Sequence, residues 1–330
     1  YTLPKINKIN IMEDSISTEI NNSISNNTEI SNNFDWSKVS VEESIDGTHL
    51  RLFYYNDKWC VSTTRMIDAN KSKWGNRKSY YDMFMDAYEN CKDEIFNLDN
   101  LNKDYCYGFV LQHPENEIVI EYNKASLVHV VTRSLKSENF LEELDIDIGC
   151  PKPKKYDIDS YTRLLKICYL EEEFETEGYV IVDENRNRYK IKSKNYISYK
   201  ELKGNYSDEL FHFFILRKDS KVQEYLYKFP KNLNKYNLFE TYFRKMIKSI
   251  HTEYLNKYVF KVTKEVTKNF YPTIKTLHNQ YMNGNIIKTK KQNVINEILK
   301  LDVKLIYTIF KKYMTDFLSE REIDYIKSEQ

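Results

Sequence analysis

The sequence predicts an α+β protein, with an antiparallel-sheet domain over residues 1–200 and an all-helical domain over residues 201–330. Three observations carry this expectation. Residues 38–135 alternate apolar and polar side chains with the period of two that marks half-buried strands. The hairpin-type signals Asp46-Gly47 and Asn56-Asp57 punctuate those runs. From about residue 194 the period becomes helical and stays so to the end. It is clearest over 291–318, where Ile295, Ile298, Leu299, Ile306, Phe310, Tyr313 and Phe317 recur at helical spacing. Strands first and helices afterwards is the order of an α+β domain with a helical appendage.

In chain order, residues 8–35 are rich in Ser, Asn and Ile without a period and read as a low-complexity surface excursion. A strand from Val39 breaks at Asp46-Gly47 and resumes to Tyr55, and the segment from Lys58 is its antiparallel partner. An aromatic helix follows near 78–92. Strands return from Tyr105, from Glu117 (E-I-V-I-E-Y) and from Ala125. A short helix near 158–168 leads through the acidic run 171–177 to a hairpin, G-Y-V-I-V from Gly178 and R-Y-K-I-K from Arg188. Most of the acidic run reads as a solvated segment.

Bulk properties narrow the class. Hydrophobic residues at 41% and aromatics at 15% imply a folded chain, and a mean hydropathy of −0.67 implies a soluble one. No apolar run approaches the ~18 residues that span a bilayer, so no membrane partner is expected. Cys60, Cys91, Cys106, Cys150 and Cys168 are an odd number without a C-x-x-C pair. Free thiols in a reducing, cytoplasmic setting follow, rather than a zinc site or a disulfide framework. The chain opens at Tyr1 with no initiator methionine and no basic-plus-apolar leader, so no signal peptide is read and residues upstream are expected to have been removed or left out. The net charge of +1 leaves nucleic-acid binding to a local basic face.

Three segments carry chemistry when taken together. E-S-I-D-G-T begins at Glu43, Y-G-F-V-L-Q-H-P-E-N-E-I-V at Tyr107, and E-G-Y-V-I at Glu177 precedes K-I-K at Lys190. Lys190 and Lys192 share one strand face by alternation, a disposition that suits polyphosphate. In order and spacing these segments resemble the motifs of the ATP-dependent RNA ligases. The resemblance is to the phage tRNA-repair type within the covalent nucleotidyltransferases, and more closely to divergent relatives in large DNA viruses. It covers about residues 1–200.

The resemblance implies an ATP-grasp-like ligase domain that uses ATP and Mg²⁺ or Mn²⁺ on RNA ends, in a host cytoplasm or a virion. It places Asp46, Gly47, Phe109, Lys190 and Lys192 at the nucleotide, with Lys5 and Arg65 beside the phosphates and ribose, and Glu177 at the metal. Two positions depart from the family. Ser44 stands where the family has its nucleophilic lysine, and Gly108 where it has a glutamate. A serine hydroxyl needs its own base and gives an ester of lower transfer potential, whereas an amine gives an activated phosphoramidate. Lys5, Lys38 and Lys58 are the other amines the sequence offers. Two functions stay open: a ligase-like nucleotidyltransferase with impaired or lost self-adenylylation, or an inactive homologue that binds nucleotide or RNA as an assembly module. GTP in place of ATP also stays open.

Outside these motifs, Lys257, Lys261, Lys264 and Lys268 recur at spacings of four, three and four, which puts them on one helix face. Such a stripe binds RNA phosphates beside Tyr254, Tyr258 and Tyr271, or is simply a solvated face. His129, in an apolar strand, reads as a hydrogen-bonded core histidine, and His113 stands at the rim of the expected pocket.

Overall fold

The computed structural model describes residues 6–8, 34–74, 77–93, 95–136, 143–170 and 176–328. Lys5, most of the 8–35 segment and residues 171–175 of the acidic run lie outside the described residues. The chain divides into two compact units, Tyr1–Glu201 and Leu202–Gln330.

The first unit is built on two five-stranded sheets. One has the order β1 (Ile6–Lys8), β10 (Arg188–Lys192), β9 (Gly178–Val182), β2 (Ser40–Ser44), β8 (Lys155–Tyr156). The other runs β4 (Lys58–Thr63), β3 (Thr48–Tyr55), β5 (Tyr105–Gln112), β6 (Ser126–Ser134), β7 (Glu143–Leu144). Every pairing is antiparallel except that of β1 with β10. Asn56 and Asp57 turn the β3–β4 hairpin with φ of 48° and 59°, the left-handed pair that a two-residue type I′ loop requires.

Alternation gives each sheet two working faces. From the first sheet, Val41, Ile181 and Ile191 pack on Tyr161, Leu164 and Cys168 of α2 (Tyr161–Leu170). From the second, Leu50, Leu52, Tyr107, Phe109 and Leu111 pack on Met83, Phe84 and Ala87 of α1 (Tyr80–Cys91). Ser79 caps α1 by accepting from the Asp82 N–H. The faces left over turn toward each other and enclose a cavity lined by Ile45, Val110 and Val130, with Val128 packed in the same apolar cluster. A register shift at Gly108/Phe109 lets β5 and β6 keep their cores on the α1 side.

The strand expected from Glu117 is not one. Residues 117–122 form bends after a 3-10 turn at Pro114–Asn116, because the Asp46 carboxylate takes the N–H groups of Val119 and Ile120 at 2.9 and 2.8 Å. Their donors are thus spent on a side chain rather than on a ladder.

In the second unit, α3 (Lys194–Lys203) leads across the boundary into α4 (Glu209–Lys218), which Asp208 caps, and α5 (Val222–Lys228). Next comes α6 (Leu233–Tyr254), whose Tyr236, Phe239, Phe243, Met246, Ile247 and Ile250 are buried at helical spacing. The helices α7 (Tyr271–Met282), α8 (Lys291–Lys300), α9 (Val303–Phe317) and α10 (Glu320–Ser328) complete it. The periodic run 291–318 is two helices, since Asp302 accepts from the Lys304 N–H and starts a new one.

The expected lysine stripe is corrected as well. α6 ends at Tyr254, a π-turn covers Leu255–Val259, and residues 261–267 are irregular, with Lys261 at φ 55°. Lys257, Lys261, Lys264 and Lys268 therefore do not share a helix face. The β-branched residues of V-F-K-V-T-K-E-V-T weaken helix there, against a charge spacing that matched it.

Gly178 opens β9 at φ +140°, and a Cβ there would lie 2.1 Å from the Ile191 carbonyl oxygen and 2.7 Å from the Lys192 Cα. Gly178→Ala is expected to lower unfolding free energy by about 3 kcal/mol, read from chemical denaturation. A change within 0.5 kcal/mol would show that β9 and β10 do not approach this closely.

Candidate nucleotide site between the sheets

The site begins with backbone. Glu177, just ahead of β9, donates its N–H to the Ser44 carbonyl at 3.1 Å and accepts from the Ser193 N–H at 3.1 Å. The residue is thereby pinned between the ends of β2 and β10. Thr176 Oγ1 accepts from the Gly178 N–H at 2.8 Å and donates to the Gly178 carbonyl at 2.7 Å, which fixes the approach to the strand.

So held, the Glu177 carboxylate gathers three side chains. Ser44 Oγ donates to Oε2 at 3.2 Å, Lys190 Nζ reaches the same oxygen at 2.5 Å, and Lys192 Nζ reaches Oε1 at 3.0 Å. The Glu177 side chain is 8% exposed, Lys190 12% and Lys192 24%, so the ion pairs stand largely out of water. Burial alone would raise the Glu177 carboxyl, but Lys190 and Lys192 outweigh it and hold it below its usual range. Two ammoniums on one carboxylate leave a positive charge over, which suits a phosphate chain.

Ser44 and Lys190 line a cavity of about 290 Å³ with Ile45, His49, Arg51 and Val110. Burial, then the Lys190 ammonium, push the His49 imidazole below its ordinary value, which favours its neutral form. At the far end Arg188 grips Glu143 at 2.7 and 2.8 Å, and Arg133 joins them at 3.2 Å, an ion cluster that ties β10 to β6 and β7. The cavity thus joins apolar walls to charged side chains, Glu42, Glu43, Arg51, Arg188 and Lys190, the make-up of a pocket for a flat ring bearing polar groups.

The structure redistributes the residues expected at the nucleotide. Ser44, Glu177, Lys190 and Lys192 come together. Asp46 is buried outside the cavity wall and acts as a strut: besides Val119 and Ile120, it accepts from Tyr196 Oη at 2.7 Å, while its carbonyl accepts from Tyr122 Oη at 2.8 Å. Gly47 makes room, since a Cβ would lie 2.5 Å from the Leu111 oxygen. Phe109 is corrected, because it is fully buried against Phe84 and Phe96 on the α1 side and its neighbour Val110 faces the cavity. Arg65 is exposed in the turn after β4, with its N–H donating to Thr63 Oγ1. Lys38 pairs at the surface with Asp35 and Glu184, and Lys58 is exposed, so neither supplies an amine to the cavity.

Motif matching passed over His49, Arg51, Arg188, Tyr196 and Lys200. The first two were within reach of alternation, because Leu50 and Leu52 lie on the opposite face of β3. Tyr196 needed the fold: its ring lies 5.1 Å from Lys192 Nζ and 5.6 Å from Lys200 Nζ. Burial and then Lys192 depress the Lys200 amine. His129 is a core histidine bonded to Thr132 Oγ1 at 2.8 Å, with burial lowering it to about 4. His113 Nδ1 accepts from the Glu115 N–H, and its ring does not line the cavity. The five cysteines are free thiols.

Among the described residues no group of three or more His, Cys, Asp or Glu could hold a metal. The donor set fits only a hard ion that takes most of its ligands from water and phosphate, with Glu177 as the protein carboxylate. No helix among the described residues is long and apolar enough to cross a membrane.

Because the Glu177 carboxyl is depressed in the folded chain, its stabilisation is present above the unfolded carboxylate value of about 4.3 and is lost as pH falls through the folded value. Glu177→Gln is expected to lower the thermal midpoint at pH 7, since two buried ammoniums lose their partner, and to flatten the decline between about pH 5 and 3. A parallel decline in both proteins, followed by circular dichroism, would contradict the ion-pair geometry.

No protein-family model matches the chain. It is 27% identical over 266 residues to the immediate-early protein ICP-46 homolog of invertebrate iridescent virus 6, covering 71% of this chain and 56% of that protein. It is 33% identical over 107 residues to the RNA ligase of Rhodothermus phage RM378, covering 30% of this chain and 24% of the ligase. The chain thus spans about half or less of the length of these relatives. Among solved structures, an archaeal ATP-dependent RNA ligase aligns at TM-score 0.39 and 14% identity over 66% of this chain and 52% of that one. A putative ATP-dependent DNA ligase from Aquifex aeolicus aligns at TM-score 0.41 and 13% identity over 99% of this chain and 74% of that one. In sequence the chain is thus similar to an iridescent-virus ICP-46 homolog over most of its own length and to a phage RNA ligase over about a third of it.

Proposed function

We propose that the chain is an ATP-binding, ligase-type nucleotidyltransferase that acts on RNA ends. The observation that carries this is the Glu177–Lys190–Lys192 cluster, which meets a largely apolar cavity between two sheets through Lys190. The base would enter between the walls that include Val110 and Val180, and the phosphates would exchange for Glu177 as partners of the two ammoniums. Mg²⁺ or Mn²⁺, held by Glu177 and phosphate oxygens, would neutralise the charge that builds on pyrophosphate during transfer.

Ser44 bears on rate. Its hydroxyl donates to a carboxylate that two lysines keep weakly basic, so no group in the cluster is suited to take its proton. Self-adenylylation through position 44 is therefore lost, which also supports the second reading, a homologue that keeps nucleotide or RNA without chemistry. Lys257, Lys261, Lys264 and Lys268 remain part of the RNA-binding proposal for the helical unit. They would act as an irregular basic strap, with Lys257 Nζ 5.6 Å from the Tyr258 ring and 5.0 Å from the Tyr271 ring.

Calorimetry with ATP and Mg²⁺ is expected to give saturable binding that Lys192→Ala weakens about tenfold. Ser44→Lys, which restores an amine beside Glu177, is expected to raise the yield of protein-bound AMP at least about tenfold. Absence of ATP binding would refute the nucleotide reading. Binding without any gain in Ser44→Lys would favour the binding module.

A further inference from the structure

We propose that Lys190 is the amine that accepts the nucleotidyl group in this chain, an inference that rests on the nucleotide reading of the cleft. An adduct on nitrogen needs an amine that faces the bound phosphates. Among the described lysines, Lys190 is the one that lines the cavity. Its Nζ and Ser44 Oγ meet on the same oxygen, Glu177 Oε2, at 2.5 and 3.2 Å. The amine is thus delivered beside the serine from the opposite strand.

The register sets the two lysines apart. β9 lies between β2 and β10, and the row of Ser44 runs through Gly178 to Lys192 rather than to Lys190. In the adjacent row Lys190 pairs with Val180, and Val180 with Glu42, so Lys190 leaves β10 on the cavity face alongside Val180. Lys192, in the glycine row, holds the other oxygen of Glu177 and stays outside the cavity wall. That divides the labour: Lys190 faces the bound nucleotide, and Lys192 holds Glu177.

In the step itself, the Lys190 ammonium gives up one proton to solvent as the phosphates displace it from Glu177, and its nitrogen pair then attacks the α-phosphorus of ATP. A nitrogen–phosphorus bond forms as the bond from the α-phosphorus to the bridging oxygen breaks. The electron pair of that bond leaves with pyrophosphate. The second proton, strongly acidic once the nitrogen is phosphorylated, leaves with the pyrophosphate. His49 is the rival, because its ring, weighted to the neutral form, also faces the cavity, but it lacks the shared oxygen that sets Lys190 at the serine.

The test is incubation of the full chain with radiolabelled ATP and Mg²⁺ or Mn²⁺, a denaturing gel, and peptide mass mapping of the adduct. The expected result is one acid-labile AMP on the peptide that bears Lys190. In Lys190→Arg, which keeps the charge but cannot form a stable phosphoramidate, the label should fall at least about 100-fold while ATP affinity falls less than about tenfold. AMP mapped to His49 or to another lysine would overturn the proposal, as would ATP binding with no adduct, and either leaves the nucleotide reading standing. No ATP binding would overturn both. Mapping on the unsubstituted chain decides the matter even if Lys190→Arg fails to fold.

Discussion

The Glu177 carboxylate is the constraint on which the rest of the site depends. Its backbone is fastened to Ser44 on one side and Ser193 on the other, so its oxygens have one place to be. From there it gathers the Ser44 hydroxyl and two ammoniums that would otherwise repel each other across a buried cleft. The arrangement costs desolvation of three charges, and nothing in the packing of either core requires it. Each core is complete on the helix side of its sheet, with Ile181 and Ile191 on α2 and Leu50 and Phe109 on α1. The charges sit on the faces the cores leave over, where a ligand with negative charge can exchange for the carboxylate.

The loop that carries Asp46 plays a supporting part. Asp46 spends its carboxylate on Val119, Ile120 and Tyr196, so it links the β2–β3 turn to the segment after β5 and to the first turn of α3. Tyr196 in turn lays its ring near Lys192 and Lys200. A residue expected to touch nucleotide instead orders the side chains around it, and Gly47 follows because Leu111 leaves no room for a Cβ. Position 44 is then the end of a well-supported strand whose own side chain lacks the amine, which is why an amine arriving from β10 has chemical meaning.

Much of this was legible in the sequence, and the misses share a cause. Strand β2, the β3–β4 hairpin, α1 and the β9–β10 hairpin follow from alternation, helical spacing and turn residues that no tertiary contact opposed. Glu177, Lys190 and Lys192 were legible because motif order and strand parity agreed. The segment 117–122 was not, since Asp46 takes its donors from 73 and 74 residues away in sequence. Phe109 was placed by motif alone, and parity from Leu50 and Leu52 would have sent it to the α1 core. For Lys257 to Lys268 the charge spacing was right for a helix, but the β-branched residues between the lysines were not. Tyr196 and Lys200 come from a helix beyond the motifs, so only the fold brings them near Lys192.

The central claim is that the Glu177 cluster is a phosphate site on the wall of a nucleotide cleft. A crystal structure of the chain soaked with a non-hydrolysable ATP analogue and Mg²⁺ tests it most directly. The predicted result is a triphosphate in contact with Lys190 and Lys192, Glu177 turned to the ion, and the base between the two sheets beside Val110 and Val180. An analogue bound elsewhere on the chain at saturating concentration, with the Lys190–Glu177 pair intact, would contradict it.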